Sequence, residues 1–446
     1  MKNLFSLAIV IVSLLLYIFS PSYYSWTYCV LCAIVYAVNA LIGLAPGFKR
    51  EPVSFSLFFS LAVFLNSFLF PLFIYPIDSS YSLFSLGYNQ DVITKATSLV
   101  TLAQSVYWYG VTMAGNTSYR KFLNDRLDVN DSLINIFIIL VVILFMLFLY
   151  LGGLDYFTDR YLEGIMSHNS AFQYTNILFS TIVVMLSCML IFAKNSFTYL
   201  KACAVLIIIS IVILSTGSRT IPLYIILPLV YIYQKRYNVS MVKLVLFGFA
   251  LLFVFVAVGH LRHDVLTTSS ISSYNIKSSE LGIWDNMIDF IVCNRNLYDI
   301  CSYVQHDGIL WGKNFLGPIL SVIPFAQGIV SDLSGIPTYQ LNSAEFCTYQ
   351  VFGPHAPFGV GTHVVGDVYL ATGIVGVVLL FYLLGYFVTK VRNGALANNH
   401  HFMYVVYLYM LSSSVFLCRS SFLGPVKGIV WSSILLYLFN YRIVRK

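Results

Sequence analysis

Charge is what this chain has least of. Only 10% of its 446 residues are Asp, Glu, Lys or Arg, against about a quarter in soluble domains, while 59% are hydrophobic and the mean hydropathy is +0.82. Such a chain cannot cover its apolar side chains with its own polar surface. A conventional soluble enzyme, a disordered tail protein and a nucleic-acid binder are excluded together, and lipid must be the solvent for most of the chain. Cysteine is also sparse. Eight residues do not make a disulfide scaffold, and Cys29 and Cys32, although spaced as C-x-x-C, lie in an apolar run with no second pair to complete a zinc or redox site. Cys293, Cys301 and Cys347 share one polar segment without a telling spacing, so all are read as free thiols. Nucleotide and metal motifs are missing as well. Gly308 to Asn314 is one residue short of a P-loop and lacks its Ser or Thr, and there is no D-x-D, H-E-x-x-H or G-x-S-x-G. The expected chemistry needs no ATP, metal or bound cofactor.

What is present is a series of apolar runs. They fall at 4–20, 26–44, 53–74, 92–114, 133–153, 172–193, 199–215, 219–234, 241–260, 363–388, 402–418 and 425–440. Each approaches the roughly 20 residues that a helix needs to cross about 30 Å of hydrocarbon. The sequence therefore predicts an all-α integral membrane protein of about twelve spans. The first run begins Met-Lys like a secretion signal, but Pro21-Ser22-Tyr23-Tyr24 follows in place of a cleavage site, so it reads as a retained span.

Alternating the loops between two sides puts 16 basic and 4 acidic residues on one side and 8 basic and 14 acidic on the other, with Lys95 inside a span. The basic side is cytoplasmic by the positive-inside rule, and it holds both termini. The chain then divides into nine spans over 1–260, a large outer loop over 261–362 and three spans over 363–446, with no linker separating independent domains. Within the loop, Ile283, Met287, Ile291, Leu297, Cys301 and Val304 predict an amphipathic helix on the membrane surface. Gly-Pro breaks after it predict an irregular loop folded over a site.

Among the arginines on the outer side, four are singled out. Arg219 ends the turn Thr216-Gly217-Ser218-Arg219-Thr220 just ahead of a helix start at Pro222, so a guanidinium, two hydroxyls and unpaired backbone N–H groups converge there as an anion site. Arg295 has Asp299 at i+4, which reads either as a simple ion pair or as a functional site. Arg419 opens the last outer loop, and Arg262 precedes His263 and Asp264. The alternative for Arg219 is an arginine snorkelling to the headgroups, and for Arg419 an ordinary interfacial charge. A base that activates a hydroxyl is sought among outer histidines and carboxylates, with His355 in its stiff Gly-Pro-His-Ala-Pro turn ahead of Glu345, Asp367 and His363. Trp284, Trp311, Tyr339 and Tyr349 are read as sugar-stacking faces or as an interfacial aromatic belt.

Taken in order, Thr216 to Thr220, the Asn294-Arg295 helix, Leu341-Asn342-Ser343-Ala344-Glu345 and the glycine-rich stretch Gly359 to Gly376 resemble the bacterial O-antigen polymerases of the Wzy type, including the enterobacterial common antigen polymerase branch. The resemblance rests on residues 214–440; residues 1–200 match in hydropathy alone. It implies a GT-C-like glycosyltransferase that joins undecaprenyl-diphosphate-linked oligosaccharides at the periplasmic face of the inner membrane. It further implies diphosphate contacts from Arg219, Arg295, Arg419, Arg262, Ser218 and Thr220, substrate contacts from Asn342, Tyr298 and Trp284, and a flippase and a chain-length regulator as partners. An O-antigen ligase shares the architecture and donor, and a lipid-linked oligosaccharide flippase shares the span count. A flippase would place its cations deep within the spans, where Lys95 stands alone.

Overall fold

In hydrocarbon every backbone N–H and C=O must find its partner within the segment or in packed protein, which leaves the helix as the default for apolar runs of this length. The computed structural model describes residues 2–48, 52–79, 87–115, 131–153, 170–215, 219–237, 291–356, 359–398 and 401–444, with a few positions between 239 and 248. Every regular element among the described residues is helical. They are α1 (Lys2–Ile18), α2 (Trp26–Phe48), α3 (Phe55–Leu69), α4 (Ile93–Ala114), α5 (Asp131–Leu151), α6 (Ser170–Met189), α7 (Ser196–Ser215) and α8 (Thr220–Tyr237). After these come α9 (Cys293–His306), α10 (Lys313–Leu320), α11 (Ala326–Ser334), α12 (Ser343–Phe352), α13 (Val364–Asn398), α14 (His401–Ser413) and α15 (Val426–Val444).

Six stretches are long and apolar enough to cross a membrane: Trp26–Ala45, Phe55–Ile74, Asp131–Leu151, Tyr174–Phe192, Ser196–Ser215 and Val364–Leu396. Asn3–Ile18, Phe402–Ser413 and Val426–Leu438 are shorter apolar helices. The twelve expected spans are thus not all met among the described residues. α4 and α8 form where expected without reaching that apolarity, and the run at 241–260 lies almost wholly outside the described residues. For α4 the reason is visible. Thr94, Thr97, Ser98, Thr101, Gln104 and Ser105 are buried in protein, so this helix carries polar groups that a lipid-facing helix would not. Its hydroxyls return to the carbonyl one turn back, Thr97 Oγ1 to Ile93 O at 2.8 Å and Ser105 Oγ to Thr101 O at 2.8 Å.

The chain forms two compact units. The first comprises Met1–Thr117, Ile276–Asn393 and Ser414–Lys427, and the second Ser118–Asn275, Gly394–Ser413 and Gly428–Lys446. In the second, Phe148 stacks between Phe172 and Phe179 at 5.3 and 5.5 Å, joining α5 to α6, while Tyr231 of α8 meets Tyr407 of α14 edge-on. In the first, α4 is the axis against which α1, α2, α3 and α9 pack. It also crosses α13 backbone to backbone. A Cβ at Gly110 would overlap Tyr382 O, and one at Gly385 would overlap Tyr107 O, so both crossing points require glycine.

α13 is broken at Gly373, whose φ of +67° interrupts the helix after two turns. The sequence predicted a single span over 363–388. The break frees carbonyls that the segment before α10 takes up, Leu310 N–H donating to Leu370 O at 2.8 Å and Gly312 N–H to Ala371 O at 2.9 Å. Residues 364–372 therefore form a short buried half-helix, and the membrane-spanning part follows. Gly385→Val should drive a side chain into the α4 backbone and lower thermal stability by about 3 kcal/mol or more, read as melting temperature in detergent; an unchanged value would contradict the close crossing.

Candidate active site

α9 forms because Leu297, Ile300 and Cys301 fall at i, i+3 and i+4, and together with residues 293–296 and Tyr298 they are buried. Its apolar stripe faces protein, packing on α3, α4 and α12, rather than lying on the membrane surface as the sequence predicted. Gly366 lets the first turns of α13 seat against it, since a Cβ there would lie 2.9 Å from Ile300 Cδ1. Asn296 Nδ2 donates to Val360 O at 2.8 Å and fixes the approach of the chain to that turn.

This packing holds Arg295 at 4% exposure. Its Nη2 meets Asp299 Oδ2 at 2.6 Å, its Nε donates to Gly87 O at 3.1 Å and its Nη1 donates to Asn296 Oδ1 at 3.4 Å. Gly87 has φ +77°, a conformation that glycine adopts without strain. A guanidinium has five N–H donors, so three bonds leave donors for an incoming anion. The pair lines an open groove of about 380 Å³ whose other walls are Tyr88 and Asn89, Ser302 and His306 of α9, and Phe346, Cys347 and Gln350 of α12. Asp299 keeps 22% exposure, and burial raises its carboxyl from 3.8 to about 6 against the lowering effect of Arg295. Burial also pushes the Cys347 thiol well up, and that thiol lies within electrostatic range of Asp299, Arg295 and Asp367.

The other residues singled out from the sequence are dispersed. Asp367 is fully buried in a node of its own. Its Oδ1 accepts from Asn314 Nδ2 at 2.7 Å, and its Oδ2 accepts the Phe422 N–H at 2.7 Å. Asn342 caps α12 through Ala344 N–H at 3.0 Å and accepts from Ser421 Oγ at 3.2 Å. His363 is buried too. Its Nδ1 accepts the Val365 N–H at 3.2 Å, so its Nε2 carries the proton toward Ser67 Oγ at 3.0 Å, and no nitrogen is left to take a proton from a sugar. Tyr298 is buried behind the groove with its ring 5.6 Å from Tyr88. Glu345 sits in the first turn of α12 beside Gln327, and His355 is exposed in the turn that follows α12. Arg419 ends a short 3-10 helix, Phe416–Arg419. Arg219 belongs to the second unit, where its carbonyl accepts the Leu223 N–H at 3.2 Å and Thr220 opens α8. Arg262, Ser218 and Trp284 lie outside the described residues. Sequence reasoning passed over Gly87 and Asn314, and it took Asp299 only as the partner of Arg295. The isolated Gly87-Tyr88-Asn89 between two apolar runs was the available signal.

A family model of the O-antigen polysaccharide polymerase Wzy matches residues 3–445, essentially the whole chain. The chain belongs to the O-antigen polymerase Wzy family. No curated protein and no solved structure matches it. Membership, together with the apolar helices, makes this a multi-pass membrane protein of polysaccharide biosynthesis, with a polymerising glycosyltransferase-like activity on a lipid-linked oligosaccharide.

Within this Wzy chain the Asp367 node ties α10, α13 and the loop before α15 together. Asp367→Ala should leave the Phe422 N–H without its acceptor and the Asn314 amide with only the Asp367 carbonyl at 2.9 Å, and cost about 2–5 kcal/mol. The check is a thermal melt of the purified protein, in which a wild-type melting temperature would contradict a structural role.

Proposed function

We propose that this Wzy-family protein joins undecaprenyl-diphosphate-linked oligosaccharide repeats into polysaccharide at the periplasmic face of the bacterial inner membrane, without metal or nucleotide. The observation that carries the reading is the nearly buried, incompletely engaged guanidinium of Arg295 at the wall of an open groove. In the reaction the acceptor hydroxyl oxygen bonds the donor's anomeric carbon, the carbon–oxygen bond to the diphosphate breaks, and the lipid diphosphate leaves with its electron pair. The leaving group carries the energy. Arg295 meets the charge that develops on it in a site of low dielectric. The hydroxyl proton passes to a carboxylate; of Asp299 and Asp307, which both line the groove, Asp299 is the one paired with Arg295. Arg219 and Arg419 are assigned separate contacts to the anionic substrate. His355 and Glu345 remain the alternative bases on the flanking turns.

In this reading the shorter helices, α4, α8 and the 241–260 run complete twelve spans, and both termini are cytoplasmic. A flippase supplies the substrate, and a chain-length regulator acts on the product. A buried cation beside a carboxylate suits transfer chemistry better than passage of a lipid, which favours an enzyme over a flippase.

The test is reconstitution of the purified chain with one lipid-linked repeat unit and no added metal or nucleotide. A glycan ladder with release of undecaprenyl diphosphate is expected; transfer only when lipid A-core is supplied would replace the reading with a ligase. Arg295→Ala should lower the rate about a hundred- to thousand-fold in this assay. Because the Asp299 carboxyl is raised to about 6, it is protonated and unable to accept a proton below that pH. The rate should climb about tenfold per pH unit up to roughly 6 and then level, and Asp299→Asn should abolish that limb. A flat profile in the wild-type protein would remove Asp299 as the base.

A further inference from the structure

The segment between Asp307 and Glu345 holds only two charges, Lys313 and Asp332, and residues 314–331 hold none. It folds as the helical hairpin of α10 and α11. Large apolar side chains stand exposed along it, Ile319 on α10, Ile323 in the turn, and Ile329 and Leu333 one helical turn apart on α11, the last at 83%. α11 buries no residue at all. Two aromatic residues, Trp311 at 83% and Phe325 at 69% exposure, stand at the two helix starts, and they are the only non-glycine residues among those described with positive φ, 53° and 65°. A backbone that bulky residues rarely adopt is thus held at both places where an aromatic ring is presented outward.

The base of the hairpin is fixed. Leu310 and Gly312 are bonded to α13 at Leu370 and Ala371, Asn314 is bonded to Asp367, and Gly317 N–H donates to Leu341 O at 2.7 Å. The attachment lies immediately before the membrane-spanning part of α13, whose exposed apolar face begins at Val375 (74%) and continues through Leu379 and Leu383. The hairpin is therefore tethered next to the start of a span that has an exposed apolar face. Its turns and free helix ends need water or headgroups to satisfy their backbone groups, which places it at the interface and not in the hydrocarbon centre.

From this geometry we infer that the α10–α11 hairpin is a membrane-interface anchor. Its Ile319, Ile323, Phe325, Ile329 and Leu333 side chains sit among the acyl-chain and headgroup atoms of the bilayer beside the start of the α13 span. This rests on the chain being a membrane protein and not on the reaction it catalyses. The occupant is lipid and not a second protein, because the surface is uncharged apart from Lys313 and Asp332 and is bonded to α13 a few residues before its exposed apolar face begins at Val375.

The test places single cysteines at Ile323, Ile329 and Leu333 of the full chain, labels them with nitrobenzoxadiazole and reconstitutes the protein in phosphatidylethanolamine–phosphatidylglycerol nanodiscs. The expected result is blue-shifted emission, quenched several-fold by lipids spin-labelled near the carbonyl and little affected by aqueous iodide; a label on Gln350→Cys of α12 should behave oppositely. Water-like emission at all three hairpin sites would overturn the anchor. Unaltered protein in nanodiscs carrying a diazirine lipid gives a second readout that needs no variant. Lipid adducts on residues 319–333 are expected, and their absence while the spans are labelled would also overturn the inference.

Discussion

A helix broken beside a membrane leaves carbonyl groups that hydrocarbon cannot satisfy, and the rest of the first unit's arrangement depends on how the break at Gly373 is closed. Leu310 and Gly312 close it with their own N–H groups. That fixes the segment before α10 against α13 and brings Asn314 to Asp367. Asp367 in turn draws in the loop at Phe422, while His363, just before the half-helix, reaches Ser67 on α3. Gly366 allows α9 to lie against the same two turns. The groove wall is thus positioned by a short piece of helix bonded to its surroundings at His363, Asp367, Leu370 and Ala371.

Charge is used sparingly on that scaffold. Arg295 and Asp299 are close enough for a strong attraction, yet burial still raises the Asp299 carboxyl to about 6, so the cost of desolvation exceeds what the guanidinium returns. A pair in that balance is a poor way to stabilise a fold. It is a good way to keep a cation in a fixed place and a carboxylate titrating near neutrality. Proton-transfer chemistry and recognition of an anionic leaving group need those two properties side by side.

The sequence made some of this legible. Hydropathy located most of the helices, because the apolar runs are long and nearly uncharged, and the i to i+4 spacing of Arg295 and Asp299 announced their contact. Pro222 marked the first turn of α8 correctly. Other features were not legible because they depend on what each residue packs against. α4 reads as a span but is sheathed in protein that bonds its hydroxyls, and hydropathy does not distinguish the two environments. The Gly359 to Gly376 stretch offered several glycines as the point where a helix could break, and only the partners at Leu310 and Gly312 select Gly373. The segment 261–362 reads as one hydrophilic loop when averaged, although its portion after Asp307 is nearly free of charge. His363 and Asp367 have the residue types of a catalytic base, and their burial and hydrogen bonds within the fold could not be read from the sequence.

The central claim is that Arg295 at the groove is where the lipid diphosphate is held. Native mass spectrometry of the wild-type protein and of Arg295→Ala, each titrated with undecaprenyl diphosphate, tests it without reference to turnover. The account predicts that affinity falls at least about tenfold in the variant while Lys201→Ala, which removes a cation that does not line the groove, binds as the wild type does, the loss of one charge-assisted bond corresponding to about 1.5–3 kcal/mol. Equal affinity in Arg295→Ala and wild type would contradict it.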